Sequence, residues 1–249
     1  MGYIEDINNN KYENDCYTKE FIDINPYGLH TNRYDDYYRI IEETGDINKN
    51  RLLDIGAGDG KMVYYLSDFF NEVYATEVSS KAIEIAKHKT KDKTNISFYE
   101  TIIGEEELNN WGKFDLISCC AVLEHVIDPY ELVNKIEKLL NVGGYLLLTV
   151  PNIAYIKHRI NLLFGNLPLT GIEEFNISEW KNVGWDGGHF HYFTKLTLSK
   201  LLENYNLIPV YFCSDGKFAK IKNIKPELLG GNITVLAKKS GSLNLEYEK

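Results

Sequence analysis

The 249-residue sequence predicts an α/β fold, a doubly wound, mostly parallel, seven-stranded sheet with helices on both faces. Short apolar segments typical of strands alternate along the chain with segments whose apolar residues recur at helical spacing. Gly56, Gly58 and Gly60 follow the first apolar strand and predict a tight turn into a helix. In such sheets ligands bind at the carboxyl ends of the strands, where this turn lies.

The chain is expected to divide into an N-terminal segment, one domain and a tail. Residues 1–45 are predicted to form a polar arm and a helix, from Thr31 to Glu43, that packs on the core. Residues 46–240 are expected to form a single domain, because a chain of this length supports one sizeable core. An insert at 153–188 interrupts the alternation after strand five, and inserts of this length are usually functional or disordered. Residues 241–249 are the tail.

Four strands and two helices are predicted in the first half of the domain. The strands are expected at 51–55, 72–76, 96–99 and 114–119. Apolar residues at helical spacing indicate a helix after the first strand, and they are Met62, Val63, Leu66, Phe69 and Phe70. Ser79 or Ser80 is expected to cap the next helix, which carries Ile83, Ile85 and Ala86.

A strong helix signal opens the second half of the domain. Asp128 is predicted as the cap, Pro129 as the first helical residue and Glu131 as the reciprocal partner of the cap. This helix is expected to end at the Gly143-Gly144 pair. Thr194 is predicted to cap a later helix. The remaining strands are expected at 145–150, 207–213 and 232–238.

Composition limits the classes of function. A net charge of −9 and a pI near 5.2 argue against a DNA or RNA partner, because nucleic acids are polyanions. No apolar run reaches the roughly eighteen residues of a membrane span, and no signal peptide is evident. The four cysteines lack a metal-binding spacing and are expected to be small apolar residues in a cytoplasmic protein. Composition leaves the oligomeric state open.

The glycine turn carries an acidic residue that discriminates between two classes of ligand. Asp54 lies two positions before Gly56, and Lys61 occupies the third glycine position of the dinucleotide fingerprint. The broken fingerprint argues against a nicotinamide oxidoreductase. The Asp54 carboxylate repels a phosphate and attracts a ligand that carries ammonium and sulfonium groups. The start of the following helix is expected to add N–H donors to this site.

Glu77 ends the second strand, seventeen positions after Gly60. An acidic side chain at this place accepts hydrogen bonds from both hydroxyls of a ribose in dinucleotide-binding folds. The alternative is a solvated carboxylate beside a helix start, where the helix dipole favours a negative charge. The glycine turn before it favours the ribose interpretation.

Three segments resemble the motifs of class I, Rossmann-like methyltransferases that depend on S-adenosylmethionine. The first is the Asp-x-Gly-x-Gly-x-Gly sequence at 54–60. The second spans 114–126, where Asp115 opens an apolar strand and Leu123-Glu124-His125 follows it. The third combines Val-Gly-Gly at 142–144 with Val-Pro-Asn at 150–152. The resemblance covers residues 50–152 and says little about the methyl acceptor.

The resemblance implies S-adenosylmethionine as the cofactor and assigns its binding residues. Asp54 and the glycine turn are expected to hold the methionine end, Glu77 the ribose, and backbone near Cys119 the amino-acid portion. Thr101-Ile102-Ile103 stands where an aspartate often binds the adenine amine, so adenine is expected to rest on apolar contacts and backbone. The predicted cofactor-binding residues are Asp54, Gly56, Ala57, Gly58, Gly60, Glu77, Val78, Cys119 and Ala121.

Residues 189–194 are similar to a His-x-x-x-Phe-Thr run found in bacterial small-molecule and glycan-tailoring methyltransferases, with His191 where an arginine is common. Three interpretations stay open for His189. It is a catalytic or acceptor-binding histidine, a structural histidine bonded to a loop, or a metal ligand together with His191 and Asp186. His125 follows strand four, where it lies beside the methyl donor or bonds to backbone at a helix entry.

Three further residues are candidates for acceptor binding. Arg159 lies in the insert and suits a phosphate or carboxylate through two parallel hydrogen bonds, and a solvated helix face is the alternative. His191 and Tyr192 belong to the histidine segment. The predicted partner of all three is a small-molecule acceptor.

The resemblance implies transfer of a methyl group, and we expect O-methylation of a small polar or anionic acceptor, such as a surface-polysaccharide or sugar phosphate precursor. His189 is the first candidate for the general base and His125 the second, and no metal is predicted. A quinone or fatty-acyl acceptor is the alternative, which the apolar residues of the insert permit. A protein that binds S-adenosylmethionine without transferring its methyl group is a further alternative.

Overall fold

A computed structural model describes residues 33–171, 186, 188–214 and 219–241. The predicted arm, the start of the predicted first helix, residues 172–185 and 187 of the insert, and the tail from 242 lie outside this part. The elements are α1 (Arg33–Glu43), β1 (Arg51–Ile55), α2 (Lys61–Leu66), β2 (Glu72–Glu77), α3 (Ser80–Lys89), β3 (Ile96–Glu100), α4 (Glu105–Asn110) and β4 (Phe114–Cys120). They continue with α5 (Pro129–Leu139), β5 (Leu140–Pro151), α6 (Ile156–Leu163), α7 (Lys195–Glu203), β6 (Leu207–Cys213), α8 (Ala219–Lys222), α9 (Pro226–Leu229) and β7 (Asn232–Lys239).

Seven strands form one sheet in the order β3-β2-β1-β4-β5-β7-β6, which confirms the predicted α/β fold. The first five strands run parallel, and β7 pairs antiparallel with both β5 and β6. The strand order reverses between β1 and β4, because the chain moves outward to β3 and returns to β4 on the other side of β1. This reversal opens a crevice beyond the carboxyl ends of β1 and β4, where doubly wound sheets bind ligands.

Both faces of the sheet are buried, as a parallel sheet covered by helices requires. Successive residues of the central strands point to opposite faces, so Leu52 and Leu53 enter different apolar clusters, and both are fully buried. Helix α1 packs on the face that contains Leu52, through Tyr37, Ile40 and Ile41.

Most predicted element starts agree with the structure because short-range signals fix them. Ser79 caps α3 by accepting a hydrogen bond from the Ala82 N–H, and Asp128 caps α5 by accepting from the N–H groups of Tyr130 and Glu131. Thr194 caps α7 as predicted. The Glu131 side chain, expected to bond back to the cap, is ion-paired with Lys135 one turn later instead.

Several element ends differ from the prediction. Helix α5 ends at Leu139, and the Gly143-Gly144 pair lies inside β5. A Cβ on Gly144 would come within 3.1 Å of the Asp115 carbonyl, so strand pairing requires this glycine. Helix α2 ends at Leu66 and does not extend to Phe70. Helices α4, α6, α8 and α9 were not predicted, since none is longer than 8 residues, too short for a clear apolar period.

No helix in the described ranges combines the length and the apolar character that crossing a membrane demands.

Candidate active site

Asp54 lies at the carboxyl end of β1, in the crevice, and is almost fully buried. The Ser118 hydroxyl donates to Asp54 Oδ1 at 2.6 Å. The second carboxylate oxygen of Asp54, Oδ2, is buried without a hydrogen-bond partner among the described residues. Burial raises the pKa of Asp54 to about 7, the Ser118 hydrogen bond opposes this rise, and the charge of Glu77 adds to it. A cationic ligand would satisfy the partnerless oxygen and favour the ionised form.

The glycine turn uses its own N–H groups within the protein. The N–H groups of Gly56 and Ala57 both donate to the Thr76 carbonyl at 2.9 Å. The Gly58 N–H donates to Glu77 Oε2 at 2.9 Å. These three N–H groups are therefore already used within the protein, and the donors expected from the start of the following helix stay a prediction. A phosphate would find few donors here, which is consistent with a cationic ligand rather than a dinucleotide.

Close packing explains why the turn requires glycine at its start. Gly56 adopts φ +75°, and a Cβ at this residue would overlap Cγ2 of Val122 in the loop after β4. The turn after β1 and the loop after β4 therefore touch across the crevice. Gly58 and Gly60 also have positive φ, at +55° and +82°.

Glu77 ends β2 and is held rigidly at the edge of the crevice. Its Oε1 accepts from the N–H groups of Val78 and Ser79 at 2.8 and 3.0 Å, and its Oε2 accepts from Gly58. A carboxylate has about four acceptor positions, so these three bonds leave capacity for a ribose hydroxyl. Asp54 and Glu77 thus form an acidic pair whose chemistry fits the charges and hydroxyls of S-adenosylmethionine.

The end of β4 and the loop after it contain two further residues predicted to bind the cofactor, Cys119 and Ala121. Cys119 is fully buried, and burial raises the pKa of its thiol well above the usual range. Ala121 adopts φ +58°, and its N–H donates to the Thr149 carbonyl at 2.9 Å. Ala121 could therefore offer a ligand its carbonyl oxygen.

The segment after β3 contains an acidic residue that the sequence analysis missed. Thr101 donates from its hydroxyl to Glu107 Oε1 at 2.6 Å, and the Gly104 N–H donates to Glu107 Oε2 at 2.8 Å. Glu107 on α4 thereby orders the turn that follows β3. Beside it Ile102 is 59% exposed and Ile103 is buried, so an apolar surface is available for an adenine ring.

Two histidines predicted as catalytic candidates lie side by side. The rings of His125 and His189 are 4.6 Å apart between centroids and inclined by 72°. The N–H groups of Phe190 and His191 donate to the Glu124 carbonyl at 2.8 and 3.2 Å, so the two loops are joined through backbone. This contact brings the segment before α7 to the carboxyl end of β4.

Each of these histidines uses Nδ1 for a contact within the protein. His125 Nδ1 lies 3.2 Å from the Gly188 carbonyl oxygen. His189 Nδ1 lies 2.6 Å from the Thr170 hydroxyl, which itself donates to Asp186 Oδ2 at 2.7 Å. A carbonyl only accepts, so Nδ1 of a neutral His125 carries the proton and Nε2 keeps a lone pair.

The predicted acceptor-binding residues His191, Tyr192 and Arg159 each make contacts within the protein. His191 Nε2 contacts the Ile127 carbonyl at 3.2 Å, and the Tyr192 hydroxyl hydrogen-bonds to Asp186. Burial, with the charge of Asp186 and this hydrogen bond, raises the pKa of Tyr192 to about 12. Arg159 is exposed on α6 and donates from Nε to the Ala154 carbonyl at 2.6 Å.

Among the described residues, one group brings three metal-ligating side chains together. Ligand atoms of Glu124, His125 and His189 lie within 4.8 Å of one another. The group does not include His191 or Asp186, which the metal interpretation of the sequence had combined with His189. Glu124 is 1% exposed, and its place in the Leu-Glu-His motif was the signal that could have singled it out.

Comparison with known proteins places the chain in a family. A model of the methyltransferase domain matches residues 29–211. The ubiquinone biosynthesis O-methyltransferase of Alkalilimnicola ehrlichii is 27% identical over 135 residues, covering 54% of this chain and 51% of that protein. The enzyme of the same name from Haemophilus ducreyi is 30% identical over 107 residues, covering 41% of this chain and 45% of that protein. The chain thus spans about half the length of these curated relatives.

Solved structures share the fold at low identity. Magnesium protoporphyrin IX methyltransferase from Synechocystis PCC 6803, solved with bound S-adenosylhomocysteine, superposes with a TM-score of 0.59 at 14% identity, covering 83% of this chain and 82% of that one. An N-methyltransferase from Bradyrhizobium japonicum WM9, also in complex with S-adenosylhomocysteine, gives 0.55 at 17% identity, covering 93% and 100%. At these identities the likeness shows a shared fold.

Proposed function

Because the chain belongs to the methyltransferase-domain family, we propose that it transfers the methyl group of S-adenosylmethionine to a hydroxyl oxygen of an acceptor bound beside His125 and His189. Family membership confirms the predicted enzyme class and the predicted cofactor. The observation that carries the proposal is the juxtaposition of these two rings at the carboxyl end of β4, next to the crevice that contains Asp54 and Glu77.

The acidic pair and the glycine turn are the residues that would hold the cofactor. When bound, S-adenosylmethionine supplies a methyl group on a positively charged sulfonium and leaves as S-adenosylhomocysteine. Asp54 attracts the positive charge, and its partnerless Oδ2 gains a partner. Glu77, fixed by three backbone N–H groups, accepts from the ribose hydroxyls. The main contribution of the protein is orientation of the two reactants.

His189 is the proposed general base, with His125 as the second candidate. His189 Nε2 would accept the proton that the acceptor hydroxyl loses as its oxygen takes the methyl group, and bound S-adenosylmethionine would supply that methyl group and leave as S-adenosylhomocysteine. The products are a methyl ether, S-adenosylhomocysteine and an imidazolium, which then loses its proton to water. Such proton transfer contributes about 10²–10⁴-fold to rates.

An acceptor with an apolar body fits the surface beside the site best. Helix α6 follows β5 at the carboxyl edge of the sheet, and large apolar side chains on and after it are about half exposed or more. They are Ile160, Leu162, Leu163, Phe164 and Leu167. Two curated relatives are named for ubiquinone biosynthesis, which supports a phenol or quinol acceptor.

A polar or anionic acceptor, such as a polysaccharide or sugar phosphate precursor, is the second candidate. The observation that favours it is the exposed guanidinium of Arg159, which lies on the same helix and uses Nε for the Ala154 carbonyl. The remaining guanidinium nitrogens could meet an acceptor anion.

An acceptor panel tests the function. Purified protein would be incubated with S-adenosylmethionine and a hydroquinone with a short isoprenoid tail, a nucleoside-diphosphate sugar or a sugar phosphate. Mass spectrometry would follow S-adenosylhomocysteine and the methylated product. We expect methylation of the hydroquinone and none with its dimethyl ether, which lacks a hydroxyl. Turnover with the sugars alone would favour the second candidate. Binding of S-adenosylhomocysteine without turnover of any acceptor would favour a non-catalytic protein.

A further inference from the structure

We propose that Thr170 and Asp186 are positioning residues that hold His189 in the tautomer whose Nε2 accepts the acceptor's proton. The inference rests on the proposed function, because it assigns a task to the groups behind the proposed base. Neither residue contacts the reacting atoms in this assignment. Both act through the imidazole of His189.

A continuous chain of hydrogen bonds connects the three side chains. The Thr170 hydroxyl donates to Asp186 Oδ2 at 2.7 Å and lies 2.6 Å from His189 Nδ1. Asp186 Oδ2 itself is 3.9 Å from that nitrogen, too far for a direct hydrogen bond. The hydroxyl therefore bridges the carboxylate and the imidazole.

Counting protons along this chain fixes the tautomer. A threonine hydroxyl has one proton, and here it is directed to the Asp186 carboxylate, which can only accept while it is ionised. The hydroxyl oxygen must then accept a hydrogen bond from His189, so Nδ1 carries the proton of the neutral ring. The lone pair is left on Nε2. A free neutral imidazole prefers its proton on Nε2, so these hydrogen bonds reverse the usual tautomer preference of His189.

Asp186 is held in place by further hydrogen bonds, so the series of hydrogen bonds that ends at His189 starts from a fixed carboxylate. Its carboxylate is 5% exposed and accepts from the N–H groups of Thr170 and Gly171 through Oδ1. The Tyr192 hydroxyl also hydrogen-bonds to it. These donors fix the position of the carboxylate, and its negative charge would stabilise the imidazolium that forms when Nε2 takes a proton. A buried carboxylate behind a catalytic histidine acts in the same way in hydrolytic triads.

The space around His189 Nε2 depends on a neighbouring glycine. A Cβ on Gly171 would come within 3.1 Å of His189 Nε2 and within 2.7 Å of the Asp186 carbonyl oxygen. The His189 side chain is only 6% exposed, so glycine at position 171 is what allows this backbone to pack against the edge of the ring that carries Nε2. Residues 170, 171, 186 and 189 thus cooperate although up to nineteen positions separate them.

Nitrogen NMR of the full-length protein tests the inference without requiring turnover. The ¹⁵N shifts of histidine side chains report which ring nitrogen carries the proton, and His189→Gln identifies the His189 signals by their loss. We expect the Nδ1–H tautomer for His189 in the wild type and in Thr170→Ser, which keeps the hydroxyl. Thr170→Val removes it and should return His189 to the Nε2–H tautomer. Tyr192→Phe, which removes the other hydroxyl on Asp186, should leave the tautomer unchanged.

Kinetics provide the functional half of the test. Thr170→Val should lower kcat about 10–100-fold with little change in the cofactor KM, and Thr170→Ser should restore most of the rate. An Nε2–H tautomer in the wild type, or an unchanged tautomer in Thr170→Val, would overturn the inference. If Thr170→Val does not fold, Asp186→Asn is measured in its place against the same outcomes. A shift of the Nε2 resonance on adding a chelator would show a metal ion at this nitrogen and would also overturn it.

Loss of the proposed function has a different signature. If no acceptor is methylated while the NMR result holds, the histidine is positioned as described and the reaction assignment is wrong. If methylation proceeds normally in every variant, Thr170 and Asp186 have no positioning role.

Discussion

Asp54 is the residue on which the proposed cofactor site depends most. Its pKa near 7 lies well above the usual 3.8, because burial disfavours the carboxylate and the Ser118 hydrogen bond compensates only in part. The folded protein therefore holds more protons than the unfolded chain between pH 4 and 7. The contribution of Asp54 to stability is complete below the unfolded pKa and is lost as the pH rises through 7.

The first prediction concerns the loss of stability that ionisation of the buried Asp54 carboxyl causes. Asp54→Asn keeps an acceptor for Ser118 and removes the buried charge, so it should raise the free energy of unfolding by about 2–4 kcal/mol at pH 8 and very little at pH 4. Chemical denaturation at the two pH values measures it. Asp68→Asn, at an exposed aspartate paired with Lys93, is the control and should give no such pH dependence. Equal effects of Asp54→Asn at both pH values would contradict the burial argument.

The same carboxyl makes cofactor affinity depend on pH. A cationic ligand binds the ionised form, so the affinity for S-adenosylmethionine should increase as the pH rises from 6 to 8. In Asp54→Asn the affinity should be weaker and independent of pH over this range. Isothermal titration calorimetry measures both, and a wild-type affinity that falls with rising pH would show that Asp54 does not face the cation.

At the scale of elements, the turn between β1 and α2 requires glycine for two separable reasons. Gly56 and Gly165 have nearly the same backbone angle, with φ of +75° and +76°, but only at Gly56 would a Cβ meet another group, the Val122 side chain. Gly165 has nothing within 4 Å of that position. The two glycines thus form a matched pair.

The third prediction compares alanine substitutions at Gly56 and Gly165. Gly165→Ala should cost about 1 kcal/mol of stability, the strain of a positive φ for alanine. Gly56→Ala should cost about 1–3 kcal/mol more and weaken S-adenosylhomocysteine binding, because the overlap with Val122 displaces the turn. Thermal unfolding and calorimetry provide the measurements. Val122→Ala combined with Gly56→Ala should recover part of the loss, and equal costs for the two single variants would show that packing across the crevice is unimportant.

Helix α6 provides the fourth prediction. Leu163 is 79% exposed on the surface assigned to the acceptor, so Leu163→Gln should raise the KM for an isoprenoid hydroquinone several-fold and leave cofactor affinity unchanged. Val142→Gln, at a 71% exposed residue near the amino end of β5, is the control at the opposite edge of the sheet. Steady-state kinetics decide the matter. If Arg159→Ala raised the acceptor KM and Leu163→Gln left it unchanged, the result would favour an anionic acceptor.

The elements also show how far local sequence determines structure. Asp128, Pro129 and Thr194 act within one helical turn, so the starts of α5 and α7 could be predicted from sequence. The Gly143-Gly144 pair was assigned to a helix end because nothing local reveals that β5 already begins at Leu140 and that Gly144 lies close to the backbone of β4. Helix α4 has too few apolar residues for a periodic signal.

At the scale of the whole molecule, sheet topology joins sites that are distant in sequence. The positions of Asp54, Glu77 and the glycine turn could be predicted, because strand signals place them at the carboxyl ends of the adjacent strands β1 and β2. Their roles in cofactor binding stay predictions. The chain from Asp186 through Thr170 to His189 could not be predicted, since it depends on how the insert folds back onto β4. The net charge of −9 continues to argue against a nucleic-acid partner, and this exclusion and a cytoplasmic location stay predictions.

Methyl transfer by His189→Gln at saturating S-adenosylmethionine tests the account most directly. The hydroquinone is the acceptor, and His88→Gln, at an exposed histidine of α3, is the matched control. The account predicts that kcat falls about 10²–10⁴-fold in His189→Gln, with unchanged affinity for S-adenosylhomocysteine and a normal rate in the control. Wild-type turnover by His189→Gln, or the loss appearing in His125→Gln instead, would contradict it.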